Sequence, residues 1–339
     1  MIKISNIKIR EYKNKFIKKT NLGKKKYNYR KGFFLEIHGV GTFGIGEAAP
    51  IPEISLESLN DVEYALQGFK LALEGLDYDV SIKELLLLSR VHGDGLPSAM
   101  FCLESAIYDL FSKLNNQPIA SILKANYLNE INVNCIDSQN SLIDKSISKV
   151  IKIKIDNSDP VKIENKIRAV LKKCNDETKV RLDFNGRLTL RQAKNIFQIL
   201  DQFDIDYVEQ PFDCKNLDAI GKLKKITNIS IAADESATNL ESIKNLIEKK
   251  LADVIIVKPT LVGSFLDIEK INNLCKKNFI RVVVTSSFET QIAQNYIIHL
   301  IAALGIKEYC GVANVDLFSK SNSIRMKNEI SIDKLLGKK

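Results

Sequence analysis

From residue 131 onward the chain alternates short, β-branched apolar segments with helical patterns, and this alternation constrains the fold more than any other feature. The candidate strands are eight: 131–137, 150–155, 179–184, 206–209, 229–234, 253–258, 281–286 and 308–312. Strands that alternate with helices pair in parallel, and eight is the number that closes a barrel. The competing architecture, an open doubly wound sheet, needs a glycine-rich phosphate turn at its first strand–helix junction, and none stands there. Gly39-Val40-Gly41-Thr42-Phe43-Gly44 has the form G-x-G-x-x-G, but it runs on as IGEAAPIPE, with two prolines and no helical period. It therefore reads as a glycine-rich antiparallel turn and not as a dinucleotide site. Upstream, 2–10 and 33–38 read as antiparallel strands, with Asn21, Gly23 and Asn28 as turn formers between them. Apolar spacing is helical over 56–76 and again over 99–114, with a break at 115–118.

Five consecutive barrel strands end in ionisable residues: Lys152 and Lys154, then Asp183, Glu209, Asp234 and Lys258. The steps from Lys154 are 29, 26, 25 and 24 residues, one strand–helix unit each. In a closed barrel such side chains converge on one mouth, where barrel active sites lie. Three carboxylates from neighbouring strands suit a hard dication that keeps positions open for water or substrate. Lysines near a dication have their neutral form favoured and can act as bases near neutral pH. Metal and lysine base together suit proton abstraction next to a carboxylate, with Mg²⁺ holding the enediolate charge. Each residue alone has a plainer reading. Ile-Lys-Ile alternation also occurs at Ile2-Lys3-Ile4 and Ile7-Lys8-Ile9, in a strand that reads as solvated; Asp183 could be a turn former, and Lys258 before Pro259 simply exposed. The ordered recurrence on five strands, with sign order plus, minus, minus, minus, plus, selects the functional reading.

Composition narrows the chemistry. The chain has three histidines, no G-x-S-x-G and no C-x-x-C pair, so neither a histidine triad nor a thiolate zinc site is suggested, and a metal would be held by oxygen, Mg²⁺ or Mn²⁺. Six dispersed cysteines read as buried reduced thiols of a cytoplasmic protein. The start has no apolar leader, and the longest nearly apolar stretch, 296–306, is too short to span a bilayer. The net charge of +9 is local: residues 1–31 hold twelve basic side chains and one acid, and the remainder is −2. A non-catalytic polyanion-binding module built on that segment is the alternative of a different class, but it leaves the five-strand constellation without a purpose.

K-x-K, D-x-N, V-E-Q-P, A-x-D-E-S and V-K-P-T-L-x-G-S, in that order, resemble the enolase superfamily, its muconate-lactonizing subgroup, and within it the o-succinylbenzoate synthase family. GEAAPIP at 46–52 and SAMFCLESAIYDL resemble that family's capping-domain loop and capping helix. The resemblance implies an α/β fold: an α+β capping domain at 1–125, to which 316–339 return, over a modified (β/α)7β TIM-type barrel at 126–315. It implies that Lys154 is the base, and the acid that helps hydroxide leave; that Lys152 orients the carboxylate and tunes Lys154; that Asp183, Glu209 and Asp234 bind Mg²⁺; and that Lys258 faces the substrate ring as a cation. Arg181, Thr285 and Ser287 are implied to bind substrate, and Glu235 is expected to face away from the metal because adjacent strand residues alternate. The implied reaction is syn dehydration of 2-succinyl-6-hydroxy-2,4-cyclohexadiene-1-carboxylate, a dicarboxylate, in menaquinone biosynthesis. Expected partners are this small molecule, no nucleic acid and no membrane, in a monomer or homo-oligomer. The basic 8–31 segment is expected near the barrel mouth, where its lysines would attract the dianion. Dipeptide epimerases and N-succinylamino acid racemases share the opposed lysines; the epimerases carry D-x-D after the eighth strand, where this chain reads CGVANVDLFSK, with Asp316 alone.

Overall fold

Burial along residues 6–22 changes face: Ile7 is buried on one side of the first strand and Tyr12, five residues on in unbroken register, on the other, with Phe16 and Leu22 in a separate apolar group and exposed lysines between them. In the computed structural model, which describes residues 1–22, 25–74, 78–313, 315–318 and 329–335, this strand β1 (Asn6–Leu22) pairs antiparallel with β2 (Lys25–His38), and β2 with β3 (Phe43–Ala48). The Gly39–Gly44 run forms the β2–β3 turn, closed by Gly39 N–H to Thr42 O at 2.9 Å. Gly44 and Gly46 have a further purpose, because a Cβ on either would sit 2.0 Å from a backbone oxygen of Ala106 or Cys102. They let a helix lie directly on the sheet. That helix is α3 (Pro97–Asn115), buried on nearly every side; α1 (Leu59–Leu73) and α2 (Ile82–Gly93) pack beside it, each begun by a capping box, Ser58 with Asp61 and Ser81 with Glu84. The expected helix at 56–76 starts at its cap and runs to Leu73, with 75–76 outside the described residues. Helix α2 was not anticipated: Leu85–Leu88 is an unbroken apolar run, which hides the helical period.

After α4 (Ile119–Leu123) come β4 (Glu130–Asn132) and β5 (Cys135–Ile136), then β6 (Val150–Lys154), α5 (Pro160–Leu171), β7 (Lys179–Asp183), α6 (Leu190–Leu200), β8 (Ile205–Glu209), α7 (Leu217–Lys224) and β9 (Ile231–Ala233). They continue with α8 (Leu240–Glu248), β10 (Val254–Val257), α9 (Pro259–Val262), α10 (Phe265–Lys277), β11 (Arg281–Val284), α11 (Gln291–Ala303) and β12 (Glu329–Ser331). Strands β5 to β11 form one parallel seven-stranded sheet in sequence order. The expected strand at 308–312 is reduced to single bridges, Val133 with Cys310 and Thr285 with Gly311, and these tie the two sheet edges together. The curled sheet fits a TIM-type barrel.

The C-terminal residues divide. Phe318 bridges Phe16, and with Leu317 it joins the apolar group of Phe16, Leu22 and Ile51, while β12 pairs with β4 at the start of the parallel sheet. Residues 319–328 and 336–339, also expected to return to the cap, lie outside the described residues. All six cysteines are free, but Cys214 is exposed and Cys174 half-buried, so four and not six are buried thiols. Among the described residues no helix is long and apolar enough to cross a membrane.

The joint between α3 and α10 contains a buried acid. Glu104 is 2% exposed and accepts the Phe265 N–H at 2.8 Å. Burial pushes its carboxyl up from 4.5 to about 7. Between those values the unfolded chain binds fewer protons than the folded one, so stability falls as pH rises, by about 3 kcal/mol across the window. Glu104→Gln is expected to flatten that slope and to be the more stable protein at pH 8. Urea midpoints at pH 5 and pH 8 check this; the same slope in both proteins would refute it.

Candidate active site

Register decides which side chains share the barrel interior. Lys152 pairs with Arg181 and Lys154 with Asp183, and on the next strand Arg181 pairs with Tyr207 and Asp183 with Glu209. Alternate residues share a face, so the interior is stacked in levels along the strands. An apolar level is made by Tyr207, Ala232, Val254, Ile256 and Val283. The ionisable residues lie at the carboxyl ends of the strands, around a cavity of about 880 Å³ whose wall includes Lys152, Lys154, Asp183, Asp234 and Lys258. Glu209 closes the same cluster from beneath, 1% exposed.

Two ammonium groups pair with three carboxylates. Lys152 Nζ donates to both oxygens of Glu209, at 2.6 and 2.7 Å, and stands 3.1 Å from Asp183 Oδ2. Lys258 Nζ donates to both oxygens of Asp234, at 2.5 and 2.7 Å. Burial works against charge on both lysines, but the carboxylates outweigh it and hold them well protonated. Asp183 is likewise held below the usual carboxylate range: burial raises it, and Lys152 and Lys154 more than reverse that. Glu209 goes the other way, pushed up to about 8 by burial and by the Asp183 charge beside it. Lys154 differs from the other two lysines. Its side chain is 56% exposed, and its nearest carboxylate, Asp183, is 3.9 Å away.

The donor set fits a hard dication. Lys152 already shows that oxygens of Asp183 and Glu209 converge on one cation. Asp234 is turned to Lys258, and among the described residues no trio of His, Cys, Asp or Glu side chains is gathered closely enough to hold a metal. For one ion to take all three carboxylates, Asp234 must exchange Lys258 for it and Lys152 must draw back.

The structure brings Lys152, Lys154, Asp183, Glu209, Asp234 and Lys258 together, with Thr285 and Ser287 on the cavity wall. It does not bring Arg181 there. Arg181 is 1% exposed and lies two residues deeper on β7; its Nε donates to Asp206 at 2.6 Å, its Nη1 to Tyr309 O, and its guanidinium stacks on Tyr207. Arg281 and Glu308, both half-buried, complete this floor. A register shift between Val180 and Arg181 inserts one extra residue in β8 and turns Asp206 inward beside Tyr207. Arg181→Met is therefore expected to cost about 1–3 kcal/mol in urea unfolding, because Asp206 loses one of its two guanidinium partners and keeps only Arg281, with KM within about twofold of the parent. A KM raised tenfold with stability intact would return Arg181 to substrate binding.

Glu235 is the second correction. It lines the cavity and accepts from Asn185 Nδ2 at 3.1 Å. Strand β9 ends at Ala233, so alternation no longer governs residues 234 and 235. Two residues of the sequence motifs were overlooked as participants. Asn185 and Gln210 follow the carboxylate-bearing strands with left-handed backbones, φ 45° and 38°. Asn185 N–H donates to Asp183 Oδ1 at 3.1 Å, and Gln210 Oε1 accepts the N–H groups of Asp234 and Ser236, both at 3.1 Å. Both fix the carboxylates, and the side-chain amides of D-x-N and V-E-Q-P were the available signal.

The model of the family described as "Enolase C-terminal domain-like" matches residues 137–324. A hydrophobic dipeptide epimerase of Enterococcus faecalis is 27% identical over 273 residues, 78% of this chain and 76% of its own length. An o-succinylbenzoate synthase of Vibrio cholerae is 26% identical over 310 residues, 88% of this chain and 85% of its own. Among solved structures, the dipeptide epimerase from Enterococcus faecalis V583 complexed with Mg and the dipeptide L-Leu-L-Tyr aligns over 97% of each chain with a TM-score of 0.80, at 21% identity.

Proposed function

The chain belongs to the enolase superfamily through its enolase C-terminal domain-like region, and on that footing we propose that it is an o-succinylbenzoate synthase, which dehydrates 2-succinyl-6-hydroxy-2,4-cyclohexadiene-1-carboxylate. The observation that carries this reading is the division of labour among the lysines: Lys152 and Lys258 are locked on carboxylates, while Lys154 stands free of any hydrogen-bonded carboxylate at the cavity wall. Of these three lysines, Lys154 alone is placed to exchange a proton with a ligand without breaking a buried ion pair.

In this reading the Lys154 amine takes the proton α to the ring carboxylate. The C–H electrons form the new double bond, the C–O bond at the neighbouring carbon breaks, and the departing hydroxide takes the proton back from Lys154 as water. One group acting twice on one face gives syn elimination. Lys152 orients the substrate carboxylate and tunes Lys154. Lys258 offers a cation to the ring face, and the Thr285 and Ser287 hydroxyls meet a carboxylate of the dicarboxylate. Asp183, Glu209 and Asp234 would hold Mg²⁺, or Mn²⁺, whose charge when bound offsets the negative charge gained by the substrate carboxylate as the C–H bond breaks. Residues 1–125 are read as the cap and 126–315 as the (β/α)7β barrel; Asn21, Ile51 and Glu53 on the cavity wall support this.

A second reading, dipeptide epimerase or N-succinylamino acid racemase, is favoured by one observation. Three strands lie between β6 and β10 in the sheet order, so Lys154 and Lys258 face the cavity from opposite sides, as two-base proton transfer requires. The missing D-x-D around Asp316 weighs against it. Absorbance at the o-succinylbenzoate band, with and without EDTA, separates the readings. Turnover lost on chelation and restored by Mg²⁺ supports the synthase. No turnover with metal present, together with α-proton exchange into dipeptides or N-succinylamino acids in deuterated water, would install the second reading.

A further inference from the structure

Arg30 lies on β2 in the antiparallel sheet, remote in sequence from every residue of the cluster, and is 1% exposed. A buried guanidinium must place its N–H donors, and every acceptor found here is a main-chain carbonyl. Nη1 donates to Pro50 O at 2.8 Å and Nη2 to Ala49 O. Across the cavity rim, Nε donates to Phe288 O at 3.2 Å and Nη2 reaches Ser287 O at 3.4 Å. These carbonyls belong to two walls of one cavity. Ala49 and Pro50 lead into Ile51, Glu53 and Ile54, which line it from the sheet side, and Ser287 and Phe288 line it from the end of β11.

The second wall is not a relaxed loop. Phe288 has φ 65°, a left-handed backbone that a bulky aromatic residue keeps only where its surroundings hold it. Three holds are visible. Arg30 grips the carbonyl, the ring packs with Phe16, Leu22 and Ile51, and the wholly buried Glu289 takes the Ser287 N–H at 2.5 Å and the Thr260 hydroxyl at 2.6 Å. Thr260 is two residues beyond Lys258. The kink is thus fastened to the barrel by Glu289 and to the antiparallel sheet by Arg30.

We propose that Arg30 is a positioning residue that ties both walls of the cavity to one rigid point, so that Ser287 and Phe288 meet the substrate in a fixed conformation. The structural part stands on geometry alone; the kinetic part rests on the synthase reading.

Amide hydrogen exchange on Arg30→Lys and Arg30→Met tests it, read over residues 49–54 and 285–290, with 150–154 and 179–183 as internal reference. Arg30→Met is expected to speed exchange in both loops by about tenfold or more while the reference strands stay unchanged. Arg30→Lys, whose single ammonium cannot serve both loops, is expected to fall between Met and the parent. In the dehydration assay KM should rise about tenfold with kcat within about threefold, since the wall and not the proton transfer is loosened. Exchange raised equally in the reference strands, in one loop only, or in neither overturns the proposal, and Arg30→Lys alone decides it if the Met variant does not fold. Absence of turnover by the parent protein would remove the synthase reading and leave the exchange result standing.

Discussion

Lys154→Ala is expected to lower kcat by about 10³-fold or more while the protein keeps its fold and its Mg²⁺ affinity. The size of the effect follows from the mechanism: one amine removes the α-proton and returns it to the leaving hydroxide, so its loss disables both halves of the reaction. The absence of a stability effect follows from the geometry. Lys154 is 56% exposed at its side chain and 3.9 Å from its nearest carboxylate, which places it among side chains whose removal shifts stability by about 0.5 kcal/mol or less. Lys152→Ala is the natural contrast, because it strands Glu209 and Asp183 in a buried site. Urea unfolding, calorimetric Mg²⁺ titration and the dehydration assay on the same preparation separate the cases. Turnover of Lys154→Ala within tenfold of the parent would mean that the base is another residue.

Asp183→Asn is expected to weaken Mg²⁺ binding by about 100-fold or more and to remove turnover at ordinary metal concentrations. Asp183 is the carboxylate common to the cluster: its Oδ2 stands 3.1 Å from Lys152 and 3.9 Å from Lys154, and its Oδ1 accepts the Asn185 N–H. Asparagine keeps the shape and the Asn185 hydrogen bond but supplies no charge to a dication. Stability without metal should change little, because Lys152 retains both oxygens of Glu209 and Glu209 loses a like-charged neighbour. Excess Mg²⁺ should restore part of the activity. Unaltered Mg²⁺ affinity would exclude Asp183 as a ligand and with it the three-carboxylate arrangement.

What the sequence could and could not reveal divides along physical lines. Side-chain parity on a strand is local, so the inward set of Lys152, Lys154, Asp183 and Glu209 was readable from period two and even spacing. Parity held for Arg181 but said nothing of its depth: it lies two residues below Asp183, where the extra residue in β8 sets Asp206 against it. Parity misled only at the end of β9, where the strand closes at Ala233 and Glu235 turns toward the cavity. Neither the extra residue nor the strand end has a sequence signature, because a bulge or a strand end is set by pairing with the neighbouring strand.

By itself the sequence determined the alternation that builds a parallel curled sheet, the order of charges at its carboxyl end, and the confinement of the excess positive charge to residues 1–31. These are properties of neighbouring residues and of spacing, and they survive in one dimension. The tertiary structure alone decided which lysine stands free, which carboxylates share an ammonium group, and how Arg30 joins carbonyls 257 and 258 residues away. Those facts depend on distances between segments that only packing brings together, and a buried charge takes its partners from whatever the fold sets beside it.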